Sequence, residues 1–376
     1  MDTLMHWINP INFVQQIVTV FKRSNPFISL CVMALTGFGL LGVFSSGRHL
    51  HPNPYYYFQR QLLYVAIGVC LMMILTLIDF SKFRFKTHLP YSITASLLLA
   101  VLIMGQQAWL RLGLFNFQPS ELGKLVIILY ISYVMAFDRL ESMRFWSESV
   151  PIMVIAFSLV GFTILQPDFG TALVMMIITV YMLLSTGFPF KHIFLPVVPF
   201  VPFSIVIAFK YPYIMTRFTN YLKNISPWSP PSHLSFHDYH MRMAMGNGGL
   251  FGQGFGGGLV KRSFLPASHT DSIFAVMVED GGFITGVIII MLFIALAWLG
   301  EYTARSAKNR FGAFLARGIS FYLSMQAVLN IGISLGLLPN TGITLPFLSY
   351  GGSSLVTSLA AIGILINVSS QRQIII

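Results

Sequence analysis

The carboxylate best placed for chemistry is Asp271, which follows the segment LPASHT and directly precedes an apolar stretch. A carboxylate at the outer mouth of an apolar helix, partly removed from water, is the kind of group that acts as a general base. Capping of the following helix is the simpler interpretation. Glu279 and Asp280 lie two turns further on, about 12 Å deeper in a straight helix, and could pair within a helix bundle.

A second charged group lies in the segment FQPSELGK, where Glu121 and Lys124 are three positions apart. Pro119 or Ser120 suits the start of a helix, so the two charges would share one helix face. The two residues could form a structural ion pair, or Lys124 could lie beside a substrate phosphate. In the segment QPDFGT, Asp168 is predicted to cap the helix that begins at the next residue.

A glycine-rich segment, 246–258, contains eight glycines in thirteen positions. Its spacing matches a dinucleotide-binding fingerprint, but no strand precedes it and no Gly-Lys-Ser/Thr follows it, which excludes both common nucleotide sites. We expect a flexible outer loop whose backbone can approach a ligand closely. Lys261 and Arg262 follow, and could bind phosphate oxygens or remain solvated loop charges.

The segment LPFLSYGGSS, 345–354, places a proline, two glycines and three serines beside a long apolar stretch. Irregular backbone at membrane depth occurs where it is buried in protein or lines a wet cavity. A helix that begins late beside a substrate cavity fits this composition, and so does close helix packing through small residues. Ser349 and Ser353 are the candidate polar contacts of this segment.

These segments must be positioned by membrane helices, because 55% of the residues are hydrophobic and only 9% are charged. A soluble domain carries about 25% charged residues, and two cysteines exclude a disulfide-stapled class. Charge-poor stretches near the length of about 20 residues needed to span a bilayer lie at 24–47, 61–78, 87–110, 122–137, 149–167, 169–190, 192–209, 281–300 and twice within 318–371. The sequence predicts an all-α polytopic membrane protein of about ten helices, forming one domain over 1–376.

The basic residues predict the orientation of these helices. Thirteen of the 23 fall on one side of the predicted bundle, whereas the short loops opposite contain only Arg48, Arg60 and Arg111. Short cytoplasmic loops are enriched in Lys and Arg, so both termini are predicted to be cytoplasmic. The long loop 210–271, between helices 7 and 8, then lies outside. The net charge of +11 needs no nucleic-acid partner, and 1–23 is predicted to be an interfacial amphipathic segment.

Four segments in this order resemble the shape, elongation, division and sporulation (SEDS) family of bacterial membrane proteins: FQPSELGK, QPDFGTA, GNGGLFGQG followed by LPASHTD, and LPFLSYGGSS. The resemblance covers nearly the whole chain. It implies a peptidoglycan glycosyltransferase of the cytoplasmic (inner) membrane that polymerises lipid II at the outer face. It also implies a partner, a class B penicillin-binding protein transpeptidase, and other membrane proteins of a division complex.

By this resemblance Asp271 would be the general base that takes a proton from the acceptor sugar hydroxyl. Arg217, Lys124 and Lys261 would offset the charge of the undecaprenyl diphosphate that leaves, and a divalent cation (Mg²⁺ or Mn²⁺) could share that task. No other cofactor is expected, and no ligand cluster for the cation is visible. The matched segments also assign substrate binding to a further set: Glu121, His269, Thr270, Ser349 and Ser353.

The sequence departs from the usual family pattern at several positions. Ser272 stands where Phe usually follows the HTD triplet, Ala108 stands where Arg usually precedes Trp109, and His240 stands where Gln is usual. These departures bear on the donor site more than on Asp271, which matches.

Thr344 and the Val260-Lys261-Arg262 segment favour a division-type member and septal cell-wall synthesis, whereas Thr341 is more typical of elongation-type members. An elongation-type polymerase, a lipid II flippase and a non-catalytic scaffold are the alternatives. A flippase would thread charges through the bundle from side to side. Six of the twelve acidic residues are instead predicted on the outer half, which favours catalysis there.

Overall fold

The computed structural model describes residues 10–48, 51–78, 80, 88–105, 108–112, 115–137, 144–223, 236–258 and 269–371. These residues form an all-α bundle with one small hairpin. In chain order the elements are α1 (Pro10–Arg23), α2 (Pro26–Gly47), α3 (Tyr56–Leu77), α4 (His88–Ile103), β1 (Leu110–Leu112), β2 (Phe115–Phe117), α5 (Pro119–Phe137), a π-helix (Phe145–Ser149) continuing into α6 (Val150–Leu165), α7 (Phe169–Ser185), α8 (Phe190–Lys210), α9 (Pro212–Lys223), α10 (Phe236–Gly248), α11 (Ile273–Arg305), α12 (Arg310–Ser334) and α13 (Gly352–Ser370).

The ten predicted spans are confirmed as helices α2 to α8 and α11 to α13. Within the described ranges, six of these helices are long and apolar enough to cross a membrane, and α4 and α7 are shorter apolar helices. Spanning segments are helical because hydrocarbon offers no partner for backbone N–H and C=O groups. The predicted amphipathic segment forms α1, and residues 1–9 lie outside the described part of the chain.

Helix α13 lies at the centre of the bundle, with almost every residue buried, and packs mainly against α3. Small residues allow this close approach. A Cβ at Gly363 would meet the backbone of Met72, and one at Gly39 in α2 would meet the backbone of Phe347 and Leu348. Without a hydrophobic driving force inside a bilayer, such close van der Waals packing is what holds membrane helices together.

Three outer elements were not predicted from the sequence. The hairpin of β1 and β2 pairs Leu110 with Phe117 and Leu112 with Phe115, just before α5. The long outer loop contains α9 and α10. These elements are short and polar in part, so they lack the long apolar stretch by which a membrane helix is recognised.

Helix α11 is broken at Gly282, which has a positive φ of 75°. The segment before the break folds back along the segment after it, since a Cβ at Gly286 would contact the side chains of Val278 and Phe274. In a straight helix, positions 274 and 286 would be about 18 Å apart. The expectation that Glu279 and Asp280 lie deeper than Asp271 along one straight helix is therefore wrong.

The glycine-rich segment 246–258 forms backbone hydrogen bonds with residues on both sides of this break. The N–H groups of Gln253 and Gly254 donate to the carbonyls of Glu279 and Asp280, each at 2.9 Å. On the other side, Phe283 N–H donates to Gly249 O at 2.8 Å. These bonds satisfy backbone groups that a broken helix leaves open. The described glycines of this segment therefore bring its backbone close to α11.

Two glycines of this segment form a matched pair for mutation. Gly252 and Gly254 both have a φ of 82°, but a Cβ at Gly252 would overlap the carbonyl of Asp280, whereas one at Gly254 meets nothing within 4 Å. Alanine at either position costs about 1 kcal/mol for the left-handed backbone. We expect Gly252→Ala to lower the melting temperature in detergent well below that of Gly254→Ala. Equal melting temperatures for the two variants would contradict this docking.

Candidate functional site

A cavity of about 500 Å³ opens between the start of α5, the start of α7 and the chain before α13. Its described lining consists of Ala108, Trp109, Gln118, Glu121, Lys124, Gln166, Pro167, Asp168, Thr171, Val174, Tyr211, Gly342, Ile343 and Thr344. Three ionisable groups of the sequence prediction therefore meet here, at the outer ends of their helices. Ionisable groups at such depth are costly, and a cavity that contains several is a candidate functional site.

Of the two interpretations of Glu121 and Lys124, the structure shows the ion pair. Lys124 Nζ lies 2.7 Å from Glu121 Oε1 and 2.8 Å from Gln326 Oε1, and 5.1 Å from the centre of the Tyr322 ring. Lys124 is only 1% exposed and Glu121 only 4%. A buried charge pair is tolerated when further hydrogen bonds satisfy it, and Gln326 and Tyr322 provide these contacts to the ammonium.

Asp168 caps α7, as predicted, because its Oδ1 accepts a hydrogen bond from Thr171 N–H at 3.1 Å. Its Oδ2 accepts from Gln118 Nε2 at 2.7 Å and from Ser120 Oγ at 3.4 Å. Burial raises the pKa of Asp168 above its ordinary value, and the hydrogen bonds from Thr171 and Gln118 offset part of that rise. Both oxygens of this carboxylate are thus occupied within the protein.

Two carboxamides on one face of α12 join the cavity wall to neighbouring segments. Gln326 Nε2 donates to Thr344 O at 2.9 Å and to its Oγ1 at 3.0 Å. One turn later, Asn330 Nδ2 donates to Ile343 O at 2.7 Å and to Asp271 O at 2.9 Å. Ile343 and Thr344 line the cavity, so Asn330 connects the cavity wall with the backbone of Asp271.

Asp271 lies in a short turn, 269–272, held against the chain before α13. Ser349 Oγ donates to Thr270 O at 2.7 Å, and Tyr350 N–H donates to His269 O at 2.7 Å. Thr270 Oγ1 donates to Asp271 Oδ1 at 2.9 Å. Burial lowers the pKa of His269, and the nearby Asp271 counters this in part. The imidazole of His269 is therefore harder to protonate than one in water.

The remaining predicted site residues fall into three groups. Arg217 is exposed and lines a second cavity of about 210 Å³, which shares Pro167 and Asp168 with the first. Ser349 and Ser353 form hydrogen bonds within the protein. Ser349 Oγ accepts from Leu345 N–H, and Ser353 Oγ accepts from Gln118 N–H. Lys261 lies outside the described residues.

Sequence reasoning missed several cavity residues, of which Trp109, Gln118, Gln166 and Tyr211 are the largest. Each is a single residue in a loop or at a helix end, and no spacing pattern connects them. Gln118 and Gln166 lie inside the recognised segments FQPSELGK and QPDFGT, and Trp109 was named only for the residue before it, so their place in or near these segments was the available signal. Within the described residues, no three His, Cys, Asp or Glu side chains are grouped as a metal site would require.

Residues 26–374 match the family FTSW_RODA_SPOVE, described as "Cell cycle protein". The chain is 36% identical over 366 residues to a probable peptidoglycan glycosyltransferase FtsW of Geobacter metallireducens, covering 94% of this chain and 96% of that protein. It is also 36% identical to the stage V sporulation protein E of Bacillus subtilis, over 93% of this chain and 98% of that protein.

Solved structures show the same fold. A chain of a peptidoglycan synthase complex, whose structure concerns coordination of polymerization and crosslinking, has a TM-score of 0.74 at 25% identity, covering 93% of this chain and 99% of that one. The rod shape determining protein RodA of Thermus thermophilus has a TM-score of 0.68 at 26% identity, covering 93% and 97%. The chain therefore belongs to the family of FtsW, RodA and SpoVE, the SEDS family that its four motifs resemble.

Proposed function

We propose that this chain is a peptidoglycan glycosyltransferase that polymerises lipid II into glycan strands at the outer face of the bacterial cytoplasmic membrane. The observation that carries this proposal is the polar cavity on the outer half of the bundle, joined through Asn330 to the segment with Asp271. Relatives named as peptidoglycan glycosyltransferases, similar over nearly their whole length, support the same activity.

In this mechanism Asp271 is the general base. Its carboxylate takes the proton of the 4-hydroxyl of the acceptor GlcNAc while that oxygen attacks the anomeric carbon of the donor MurNAc. The bond from that carbon to the diphosphate oxygen breaks, and undecaprenyl diphosphate leaves with inversion at the carbon. A positioned general base contributes about 10²–10⁴-fold to such a step, and its proton is returned to water.

The diphosphate that leaves needs positive charge nearby. Among the described lining residues, Arg217 has an exposed side chain and donates from Nη1 to Asn340 O at 3.5 Å, whereas Lys124 is buried and bonded to Glu121 and Gln326. Lys261 is a further candidate on its sequence position. A divalent cation would add positive charge beside the diphosphate, and the described residues offer no group of three His, Cys, Asp or Glu side chains to hold it.

A role in cell division and a class B penicillin-binding protein partner are part of this proposal. Relatives named FtsW and a stage V sporulation protein support a septal role more directly than an elongation role. The similarity to a chain of a peptidoglycan synthase complex supports a transpeptidase partner. The partner would supply the crosslinking activity, and other division-complex membrane proteins would recruit the pair.

Replacing the proposed base should abolish polymerisation without unfolding the protein. We expect Asp271→Asn to lower the rate of glycan strand formation from labelled lipid II by at least about 10²-fold, measured with purified protein and its partner transpeptidase. Glu148→Gln changes an exposed carboxylate within the π-helix and should leave the rate unchanged. Wild-type polymerisation by folded Asp271→Asn would rule out the general base, and lipid II transport without polymer formation by the wild type would favour a flippase.

Asn330 is expected to position Asp271 without touching substrate. Asn330→Leu removes the bonds to Asp271 O and Ile343 O, and a misplacement of 1 Å can cost about 10²-fold in rate. We expect kcat to fall by about 10- to 100-fold while KM for lipid II changes little.

Asn367→Leu is the matched control. Asn367 is also a buried carboxamide whose Nδ2 donates to a backbone carbonyl, that of Thr76, at 2.7 Å, but it lies near the cytoplasmic end of α13. Both variants should lose a similar amount of thermal stability. A parallel loss of kcat in Asn367→Leu would show that the effect of Asn330→Leu is structural.

A further inference from the structure

The cavity wall contains acceptor oxygens that the protein leaves unpaired. Glu121 Oε2 and Gln166 Oε1 are buried and have no hydrogen-bond partner among the described residues. Both side chains line the cavity, and both residues are 4% exposed. A buried acceptor without a donor is unfavourable, so a ligand that brings hydrogen-bond donors to this wall would be stabilised there.

The charges at this wall disfavour an anion. Among the described lining residues, two carboxylates, Glu121 and Asp168, face one ammonium, Lys124. The ammonium is already bonded to Glu121 and Gln326. Whether Asp168 is protonated or ionised, the wall has no net positive charge. A diphosphate would therefore gain nothing here, and the desolvation of its charge would be uncompensated.

Two aromatic side chains complete the lining, Trp109 and Tyr211, and Trp109 remains 39% exposed. A sugar ring has hydroxyl and amide donors at its edge and apolar C–H groups on its faces. An apolar or aromatic surface with a few well-placed polar groups is the usual form of a site for such a molecule.

We propose that this cavity binds an N-acetylhexosamine ring of the substrate rather than its diphosphate. Hydroxyl or amide N–H groups of the sugar donate to Glu121 Oε2 and Gln166 Oε1, and the ring face packs against Trp109. The diphosphate lies towards Arg217, in the adjoining cavity that shares Pro167 and Asp168. This inference rests on the proposed function and identifies which part of the substrate the cavity recognises.

A divalent cation fits the same wall poorly. Glu121 Oε1 is bonded to Lys124, and both oxygens of Asp168 accept hydrogen bonds. Two unpaired oxygens remain, Glu121 Oε2 and Gln166 Oε1. Mg²⁺ takes six oxygen ligands in an octahedral arrangement, so the described residues would supply a minority of its coordination sphere.

The test is equilibrium binding to the purified full-length protein in detergent, with two labelled probes. One is the methyl glycoside of the GlcNAc–MurNAc disaccharide, which has no diphosphate, and the other is undecaprenyl diphosphate, which has no sugar. We expect Gln166→Leu and Trp109→Ala each to weaken binding of the disaccharide by about tenfold, the loss of one good contact. Binding of undecaprenyl diphosphate should be unchanged in these variants and weakened in Arg217→Gln.

Gln61→Leu is the matched control for Gln166→Leu. In both residues Nε2 donates to a backbone carbonyl, that of Ser349 for Gln61 and that of Leu98 for Gln166, and Oε1 has no described partner. Gln61 does not line the cavity in the described part of the chain. It should lose similar stability and retain disaccharide affinity, which separates a binding role from a folding defect.

Three results would overturn the inference: unchanged disaccharide binding in Gln166→Leu and Trp109→Ala, an equal loss of undecaprenyl diphosphate binding in them, or Mg²⁺ binding that Gln166→Leu abolishes. The proposed function is tested separately by polymerisation. A wild-type protein that binds the disaccharide as expected but forms no polymer would contradict the enzymatic activity and support the sugar site.

Discussion

Two carboxamides one turn apart on α12 organise the outer half of this protein. Gln326 bonds to the buried Lys124 and to Thr344, and Asn330 bonds to Ile343 and to the backbone of Asp271. A carboxamide can donate and accept at once, so one rigid helix holds both the charged cavity wall and the segment with the proposed base. At this depth the N–H donors of both carboxamides depend on acceptors inside the protein, because lipid offers none.

The same constraint explains the irregular backbone of the outer half. The break at Gly282 would leave backbone carbonyl and N–H groups without partners inside the helix. The glycine-rich segment 246–258 forms hydrogen bonds with both kinds of group. The chain before α13 is likewise irregular and buried, with Ser349 bonded to Leu345 N–H and to Thr270 O. Glycines and serines in these motifs are therefore first of all structural, since they replace the hydrogen bonds that a continuous helix would make.

The two neighbouring cavities differ in the charges that line them, so they suit different ligands. The cavity around Glu121 and Lys124 is neutral or acidic and contains unpaired acceptors, which suits an uncharged sugar. Arg217 lines the adjoining cavity, which suits the diphosphate. Asn330 connects the backbone of Asp271 with Ile343, in the wall of the first cavity. If the sugar binds in the first cavity and the diphosphate near Arg217, the two parts of the substrate would lie in environments of different charge.

The sequence by itself determined the features that depend on local spacing or composition. Ten apolar helices follow from apolar length, the placement of Glu121 and Lys124 on one helix face from their three-residue spacing, and the Asp168 cap from its position before α7. Only the tertiary structure decided the reversal at Gly282, the partners of Gln326 and Asn330, and the cavity of Trp109 and Gln166. These depend on contacts between segments far apart in the chain, where no spacing rule connects one residue with another.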